Sequence, residues 1–345
     1  MKRLIALLLA SISIFSCEKK SAPPAGMPES RGDVTFRVNF PENTKSTFYD
    51  AYGSNIDEVF LMVFAPSGIL YSAALLSYGE DASMSLPVGV SGFRVVAVAN
   101  PSDPDIMEHC LDYEMLLSHS GYLEDGFNDE DSRVKMWSDT PDVTFTSGQV
   151  FDIKLRRLVS LVGVSNIRFR PVTAWSGYYL HVLSAYLVNV NRAYDYSGKW
   201  ERYAWTNKMK YDCDSSLDCY LYKDIDVSLE ADSDIDVNVS LYCCPNLTSS
   251  DSHSSVWSPR HTRLVVEAQF VDPDSEEAVA KFYYPIDVCK HSEKGLEANV
   301  AYNVSCLTIT GPGAMSPEGE IESLDFSVDM EIEPWSDGNV QDVTI

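Results

Sequence analysis

Residues 34–40 read VTFRVNF, and their apolar and polar side chains alternate without a break. Successive side chains of a β-strand point to opposite faces, so the apolar residues of this run share one face, and Thr35, Arg37 and Asn39 share the other. The pattern predicts a half-buried strand whose inward side chains are Val34, Phe36, Val38 and Phe40.

Short strand patterns continue along the rest of the chain. Residues 59–64 are all apolar, the turn Pro66-Ser67-Gly68 follows, and residues 69–76 are again mostly apolar, which predicts two buried strands joined by a turn. Helical spacing of apolar residues is found at 106–117, where it predicts one short helix. Further strands are predicted at 93–100, 143–145, 150–155, 178–190, 235–243, 263–271, 278–285, 301–309 and 326–332.

This order of elements favours one fold class. Many short strands separated by Pro, Gly, Asn and Asp, with little helix, predict an all-β fold of antiparallel β-sandwiches, whereas a parallel α/β fold would need helices between strands. The length of 345 residues suits two domains, and a hydrophobic content of 45% is enough for packed cores. We place an amino-terminal sandwich at 34–153 and a carboxy-terminal sandwich at 154–345.

The amino-terminal residues have the pattern of an export signal. Two basic residues follow the first methionine, and an apolar run leads to Ser16 and Cys17. This run is shorter than the about 20 residues that a membrane-spanning helix needs. Residues 14–17 (IFSC) look like a bacterial lipobox, in which the cysteine is acylated and becomes the mature amino terminus. We predict a lipoprotein signal peptide at 1–16, lipidation of Cys17 and a polar, proline-rich tether at 17–33.

The charge and the cysteines limit the possible functions. The formal net charge of −25 argues against nucleic-acid binding, because phosphates require a basic surface. Neither Cys-x-x-Cys nor His-x-x-x-His occurs, so no metal site or cofactor is predicted. Seven cysteines remain besides Cys17, and both buried thiols and one or two disulfides are compatible with the sequence. The neighbours Cys243 and Cys244 point to opposite faces if they lie in a strand.

The sequence lacks the motifs of common catalytic sites. The zincin His-Glu-x-x-His, the Gly-x-Ser-x-Gly elbow and the phosphate-binding Gly-x-x-x-x-Gly-Lys are absent, and we predict that the chain is not an enzyme. The acidic loop 124–131 lacks the ligand order of an EF-hand and is explained as a solvated loop. Residues 310–313 are explained as a turn. The tryptophans could form a platform for binding sugars, but we favour their explanation as half-buried aromatic residues of a sandwich. They are Trp137, Trp175, Trp200, Trp205 and Trp257.

Seven stretches together carry a family resemblance. They are 57–64 (DEVFLMVF), 93–100 (FRVVAVAN), 154–159 (KLRRLV), 262–265 (TRLV), 283–286 (YYPI), 307–313 (LTITGPG) and 333–335 (EPW). In this order they are similar to the fimbrillins, the two-domain subunits of the fimbriae of Bacteroidales. The resemblance extends from about residue 34 to residue 345, and it implies a transthyretin-like sandwich in each half.

The resemblance also implies assembly by strand exchange. Fimbrillins travel as lipoproteins to the outer membrane, where a trypsin-like protease cuts after a basic residue just beyond the first strand. The strand is lost, and the open groove takes the carboxy-terminal strand of the next subunit. In this chain the processed residue would be Lys45, with Arg31 and Arg37 as poorer candidates. The released strand would contain Val34, Phe36, Val38 and Phe40, and the donor strand would contain Val340, Val343 and Ile345.

The predicted function is that of a structural subunit of a cell-surface fimbria that supports adhesion. The implied partners are other fimbrial subunits, the outer membrane through the lipid on Cys17, the processing protease, and a host or bacterial surface receptor. Related stalk subunits usually have arginine where this chain has Lys45, so the first alternative is an anchor or tip subunit that is not cut. The second is a surface glycan-binding lipoprotein, and the third is a hydrolase with a carboxylate pair.

Overall fold

The computed structural model describes the following parts of the chain: 30–39, 56, 58–77, 79–101, 110–123, 134–198, 203–208, 221–248, 258–289, 294–317, 319 and 326–334. Cys17, Phe40, Lys45 and the tail 335–345 lie outside these residues, so the predictions made for them are untested by the structure. Within the described ranges, none of the helices is both long and apolar enough to cross a bilayer.

Strands account for most of the described chain. The first half contains β1 Arg31–Asn39, β2 Glu58–Phe64, β3 Leu70–Ser77, β4 Ala82–Pro87, β5 Phe93–Ala99, the helix α1 Tyr113–Ser118, β6 Ser120–Tyr122, β7 Met136–Val143, β8 Val150–Lys154 and β9 Arg156–Arg157. The second half contains β10 Ser160–Phe169, β11 Tyr179–Val188, β12 Val190–Asn191, β13 Ala193–Asp195, β14 Trp205–Thr206, β15 Tyr222–Leu229, β16 Asp234–Cys243, β17 Arg263–Val271, β18 Ala278–Asp287, β19 Val300–Ile309 and β20 Phe326–Pro334. The predicted all-β class is confirmed.

The two halves repeat one strand topology. β1 lies between β4, to which it is antiparallel, and β8, to which it is parallel. In the second half β10 lies in the same way between β16 and β19. The opposite sheets also correspond, because the order β3-β2-β5-β7 matches the order β15-β11-β17-β18. The pairs β1–β8 and β10–β19 depart from the predicted antiparallel pairing, since the first strand of each half runs alongside a strand near its end.

Two apolar cores correspond to the two halves, and they meet at one sheet. The first core is the buried cluster around Phe36, Leu61 and Val96, and the second core is the buried cluster around Val164, Val182 and Phe270. The two cores divide along β10, β16 and β19. Successive residues of these strands alternate between them, with Leu161, Tyr242, Cys244 and Ala301 in the first core and Val162, Leu241, Cys243 and Tyr302 in the second.

The helix α1 is shorter than the sequence predicted. The apolar spacing indicated a helix over 106–117, but residues 110–112 are not helical, and residues 102–109 are outside the described chain. α1 begins after Asp112, whose side chain accepts a hydrogen bond from the backbone N–H of Met115 at 2.8 Å. An aspartate that satisfies a free N–H group in this way favours a helix start at the following residue.

The buried cysteines behave as packing residues. Cys110, Cys243 and Cys244 are fully buried thiols that form no disulfide, and Cys306 is a thiol of intermediate exposure. The expected opposite orientation of Cys243 and Cys244 is present, since one lies in each core. Burial raises the pKa of Cys110 to about 11 and also raises the pKa values of Cys243 and Cys244.

The thiols of Cys110, Cys243 and Cys244 will react slowly with alkylating reagents in the folded protein. Because the thiolate is the reactive form, iodoacetamide at pH 8 should modify Cys306 before Cys110, Cys243 and Cys244, and urea should remove the difference. Site-resolved mass spectrometry of the alkylated peptides measures the order. The thiols of Cys110, Cys243 and Cys244 ionise near pH 9 in the unfolded chain, and burial raises their pKa in the folded protein, so they contribute stability that falls as the pH rises above about 9. Rapid native alkylation of Cys244 would contradict the packing.

Residues 310–313, interpreted as a turn from the sequence, form a bend after β19, and Gly313 lies against the backbone of Tyr283. Hydrogen bonds of 2.9 Å and 2.8 Å join Tyr283 and Ala314 in both directions. The Tyr284 hydroxyl donates a hydrogen bond of 2.9 Å to the carbonyl oxygen of Gly311. A Cβ at Gly313 would overlap the carbonyl oxygen of Tyr283, so only glycine fits without a backbone shift.

The substitution Gly313→Ala tests this contact. We expect the free energy of unfolding to fall by about 1 to 3 kcal/mol, because the backbone of Tyr283 must move. The matched control is Gly177→Ala, whose Cβ would meet no atom within 4 Å, and it should change stability by less than about 0.5 kcal/mol. Urea unfolding measures both, and equal stabilities would show that the turn is not constrained.

Candidate functional site

The candidate site is the groove in the first half that β1 fills. β1 is the middle strand of the sheet β4-β1-β8. Its register with β4 extends from Arg31 opposite Pro87 to Phe36 opposite Ala82, and its register with β8 extends from Thr35 opposite Val150 to Asn39 opposite Lys154. A strand with a neighbour on each side leaves two unpaired edges and a core slot if it is removed.

The inward face of β1 contributes directly to the first core. Val34 and Phe36 are 0% exposed, and Val38 is partly buried against the same core. The Phe36 ring lies 6.0 Å from the ring of Phe145 and 5.7 Å from the ring of Phe151, between centroids. Full burial of Val34 and Phe36 is worth about 3 to 6 kcal/mol of transfer free energy, as an upper estimate.

The amino-terminal end of β1 passes close to the loop before β8. A Cβ at Gly32 would lie 2.7 Å from Cβ and 2.8 Å from Cα of Ser147. The backbone N–H of Gly148 donates to the carbonyl oxygen of Asp33 at 2.8 Å, and the N–H of Thr35 donates to the carbonyl oxygen of Gln149 at 2.9 Å. The loop is therefore fixed against β1, and Gly32 is the residue that permits this approach.

Arg31 and Arg37 form side-chain polar contacts from β1. A guanidinium nitrogen of Arg31 donates to the hydroxyl oxygen of the buried Tyr71 at 2.8 Å. Arg37 forms an ion pair of 3.3 Å with Asp81, and the two side chains are 53% and 42% exposed. Exposed ion pairs of this kind contribute little to stability. The apolar face and the backbone pairing, rather than the Arg37 ion pair, hold β1 in place.

The structure describes some of the predicted site residues and leaves others outside the described ranges. Val34, Phe36 and Val38 share the inward face of β1, as the alternation predicted, and the strand begins three residues earlier than predicted, at Arg31. Arg31 and Arg37 lie within β1. Outside the described residues are Cys17, Phe40, Lys45, Val340, Val343 and Ile345, so lipidation, processing and the donor strand stay predictions.

The described tryptophans pack against other aromatic rings. Trp137 lies 6.1 Å from Tyr196, Trp175 lies 4.5 Å from Phe270, and Trp205 is stacked on Tyr203 at 5.1 Å, between ring centroids. Each of the three is of intermediate exposure, as expected for half-buried sandwich aromatics. Trp200 and Trp257 lie outside the described residues.

A polar network that the sequence did not predict joins α1 to strands β5 and β7. Arg94 donates hydrogen bonds to the Tyr113 hydroxyl at 2.8 Å and to Asp139 at 2.5 Å, and Tyr113 donates to Asp139 at 2.7 Å. Burial, together with the hydrogen bond to Asp139, raises the pKa of Tyr113. These residues are far apart in sequence, so only the folded chain reveals their proximity. Arg94 and Tyr113 also line a cavity of about 330 Å³ beside the turn at 65–68.

A serine, a histidine and an aspartate also meet on β11 and β15. Asp226 lies 2.8 Å from Nε2 of His181, and the Ser228 hydroxyl lies 3.2 Å from Nδ1 of His181. In hydrolase triads a buried carboxylate holds Nδ1 and the serine contacts Nε2. Here the two nitrogens are exchanged and the Asp226 side chain is 83% exposed. The arrangement is a surface hydrogen-bond network rather than a hydrolytic site.

Comparison with known proteins supports this view of the fold. No known family profile and no curated protein matches the sequence. A fimbrilin (FimA) from Porphyromonas gingivalis W83 has a similar structure, with a TM-score of 0.67 and 14% identity over 90% of this chain and 99% of that chain. A putative cell adhesion protein from Bacteroides eggerthii gives 0.61 at 13% identity over 90% and 97%, and one from Parabacteroides distasonis gives 0.58 at 14% over 89% and 97%.

The chain therefore has a fimbrillin-like, all-β fold. The resemblance that the seven sequence stretches carried is confirmed at the level of the fold, and it covers nearly the whole length of the fimbrilin.

Truncation of Phe36 tests the place of β1 in the core. We expect Phe36→Ala to lower the free energy of unfolding by about 3 to 5 kcal/mol, because a cavity forms between Phe145 and Phe151. The control is Leu75→Ala on β3, a side chain that is 50% exposed, and it should cost less than about 1 kcal/mol. Denaturant titration measures both variants. If Phe36→Ala costs no more than the control, β1 does not belong to the core.

Proposed function

We propose that the chain is a structural subunit of a cell-surface fimbria, exported as a lipoprotein and assembled by protease-triggered strand exchange, and that the fimbria supports adhesion. The observation that carries the proposal is the place of β1 as the middle strand of its sheet, with Val34 and Phe36 fully buried, in a fold shared with a fimbrilin. Such a strand is a plug whose removal creates a binding site for another strand.

The proposed sequence of events begins with export and lipidation. The signal peptide 1–16 is removed, Cys17 carries the lipid, and the tether predicted at 17–33, shortened because β1 begins at Arg31, separates the lipid from β1. This arrangement brings the chain to the outer membrane and the cell surface. A trypsin-like protease then cuts after Lys45, and the piece that contains β1 is no longer covalently joined to the rest of the fold.

Strand exchange follows from the energetics of the groove. After β1 leaves, β4 and β8 expose unpaired backbone groups, and the aromatic residues around Phe36 lose their central contact. A strand from another fimbrial subunit restores the backbone pairing and the buried apolar area, worth several kcal/mol. In the proposed scheme the tail with Val340, Val343 and Ile345 supplies such a strand to the groove of a neighbouring subunit. The receptor that the fimbria would contact belongs to a host or bacterial surface.

The proposal includes two transthyretin-like sandwich domains, predicted at 34–153 and 154–345, and we extend the first to 31–157 because β1 begins at Arg31 and β9 pairs with β7. The repeated strand topology supports this division, because β1 and β10 hold equivalent places in two sets of sheets. The alternation of neighbouring residues between two cores also supports it. The link near Lys154 joins β8 of the first set to the strands that lead into β10.

Limited proteolysis of the mature lipoprotein tests the proposed assembly. Trypsin treatment of the lipoprotein in the outer-membrane fraction of its cells, where the other fimbrial subunits are present, should produce ladders of multimers on gels of unheated samples. Heating should dissolve the ladders, because the subunits are joined without covalent bonds. Lys45→Ala should prevent both the cut and the ladder. The control Lys223→Ala changes an exposed lysine on β15 and should leave the ladder unchanged.

Two outcomes would contradict the scheme. A ladder that forms from the Lys45→Ala protein would show that release after Lys45 is not required. A chain that is cut after Lys45 and yet joins no other fimbrial subunit in the cell envelope would show that β1 is not released for strand exchange. A full-length chain that stays acylated and is never cut in the cell would favour the anchor or tip alternative.

A further inference from the structure

We infer that the groove under β1 selects a strand that has a glycine, an apolar residue two positions later and an aromatic residue four positions later, and that this strand belongs to a different protein rather than to the tail of a second copy. The inference rests on the strand exchange proposed above. It concerns the identity of the partner, which the exchange itself leaves undefined.

The glycine requirement comes from Gly32. A side chain at this position would meet both Cα and Cβ of Ser147, at 2.8 Å and 2.7 Å. Contact with a Cα atom is relieved only by movement of the backbone. After β1 leaves, the loop that carries Ser147 is still held by its own hydrogen bonds. The backbone N–H of Gln149 donates to the carbonyl oxygen of Thr146 at 3.2 Å, and the backbone N–H of Thr146 donates to the side-chain oxygen of Gln149 at 3.0 Å. A replacement strand in the same place therefore needs glycine opposite Ser147.

The aromatic requirement comes from the surroundings of Phe36. Its ring packs against Phe145 and Phe151, and Phe145 in turn lies 5.3 Å from Phe93, between ring centroids. A smaller side chain at this position leaves a cavity beside the rings of Phe145 and Phe151, and a charged side chain is desolvated there without a partner. A phenylalanine or a residue of similar size is needed to fill the slot.

The outward face of the groove adds a preference for positive charge. Arg37 forms its ion pair with Asp81 on the side of β4, and on the side of β8 it lies opposite Asp152 in the strand register. The nearby Asp152 carboxylate acts on Arg37 as a further favourable charge. An acidic strand placed between Asp81 and Asp152 would be repelled by both.

The tail of a second copy does not meet these requirements. Residues 336–345 read SDGNVQDVTI, with two aspartates and no lysine or arginine. If Gly338 takes the place of Gly32 in the same direction, Val340 replaces Val34 but Asp342 replaces Phe36. In the reverse direction Pro334 replaces Phe36. If Val343 takes the place of Phe36 instead, Asn339 meets Ser147.

No other glycine of this chain has the pattern when the chain is read in the direction of β1. Among its 18 glycines, Gly32 alone is followed by an apolar residue two positions later and by Phe, Tyr or Trp four positions later. The strand that fits the groove best is β1 itself. A durable replacement must therefore come from a chain that carries the same pattern, which makes this subunit a member of an assembly of unlike subunits.

The test measures which peptides replace β1. The full mature chain is given a sequence-specific protease site within residues 41–50, is cut, and is mixed with a fluorescent peptide of residues 30–39. Unlabelled peptides then compete for the groove. The competitors are the peptide 30–39, its Gly32→Ala variant, its Asp33→Ala variant as the matched control for an exposed position, the tail peptide 335–345, and the tail peptide with Asp342→Phe.

The inference predicts that the tail peptide competes more than about tenfold less well than the peptide 30–39, because a buried aspartate replaces a phenylalanine. Asp342→Phe should improve the tail peptide about tenfold or more, and Gly32→Ala should weaken the peptide 30–39 by a similar factor, while Asp33→Ala should not. A native tail peptide that competes within about tenfold of the peptide 30–39 would overturn the inference alone. Failure of every peptide, including 30–39, to replace β1 would overturn the proposed strand exchange as well.

Discussion

The close packing of Phe36 against Phe145 and Phe151 is the contact on which the first half depends. β1 precedes every other described strand in sequence, yet its central side chain is fully buried in the core. The two rings come from the segment after β7 and from the start of β8, and Phe93 at the start of β5 packs on the far side against Phe145. These segments pack at native density only when a bulky side chain fills the space between them, so β1 is required for the packing of the first core.

The alternation at 34–40 was sufficient to predict β1 and its inward face, because period two is a direct consequence of strand geometry. The partners of Phe36 were not predictable, since Phe145 and Phe151 approach it only through the fold. The requirement at Gly32 was also hidden, because nothing in the sequence identifies Ser147 as its neighbour. The seven family-like stretches indicated the fold despite 14% identity to the fimbrilin, because buried strand positions tolerate many apolar residues.

Other elements were missed for identifiable reasons. β7 contains Ser138, Asp139, Pro141 and Asp142, which are typical turn residues, and a register shift with Asp142 at φ 55° allows them to lie in a strand. β15 has an acidic sequence and a similar left-handed residue, Asp226 at φ 52°. The predicted helix was too long because the apolar spacing extended past Asp112, while the capping hydrogen bond determines where α1 begins.

The alternation of Leu241, Tyr242, Cys243 and Cys244 between two cores has a consequence for thermal behaviour. β16 cannot detach from one core without withdrawing side chains from the other, and the same holds for β10 and β19. Melting of either half therefore removes part of the apolar contact area of its neighbour. Both cores should therefore unfold in a single cooperative heat-absorption peak, whereas two independent domains joined by a flexible linker would unfold in two separate steps.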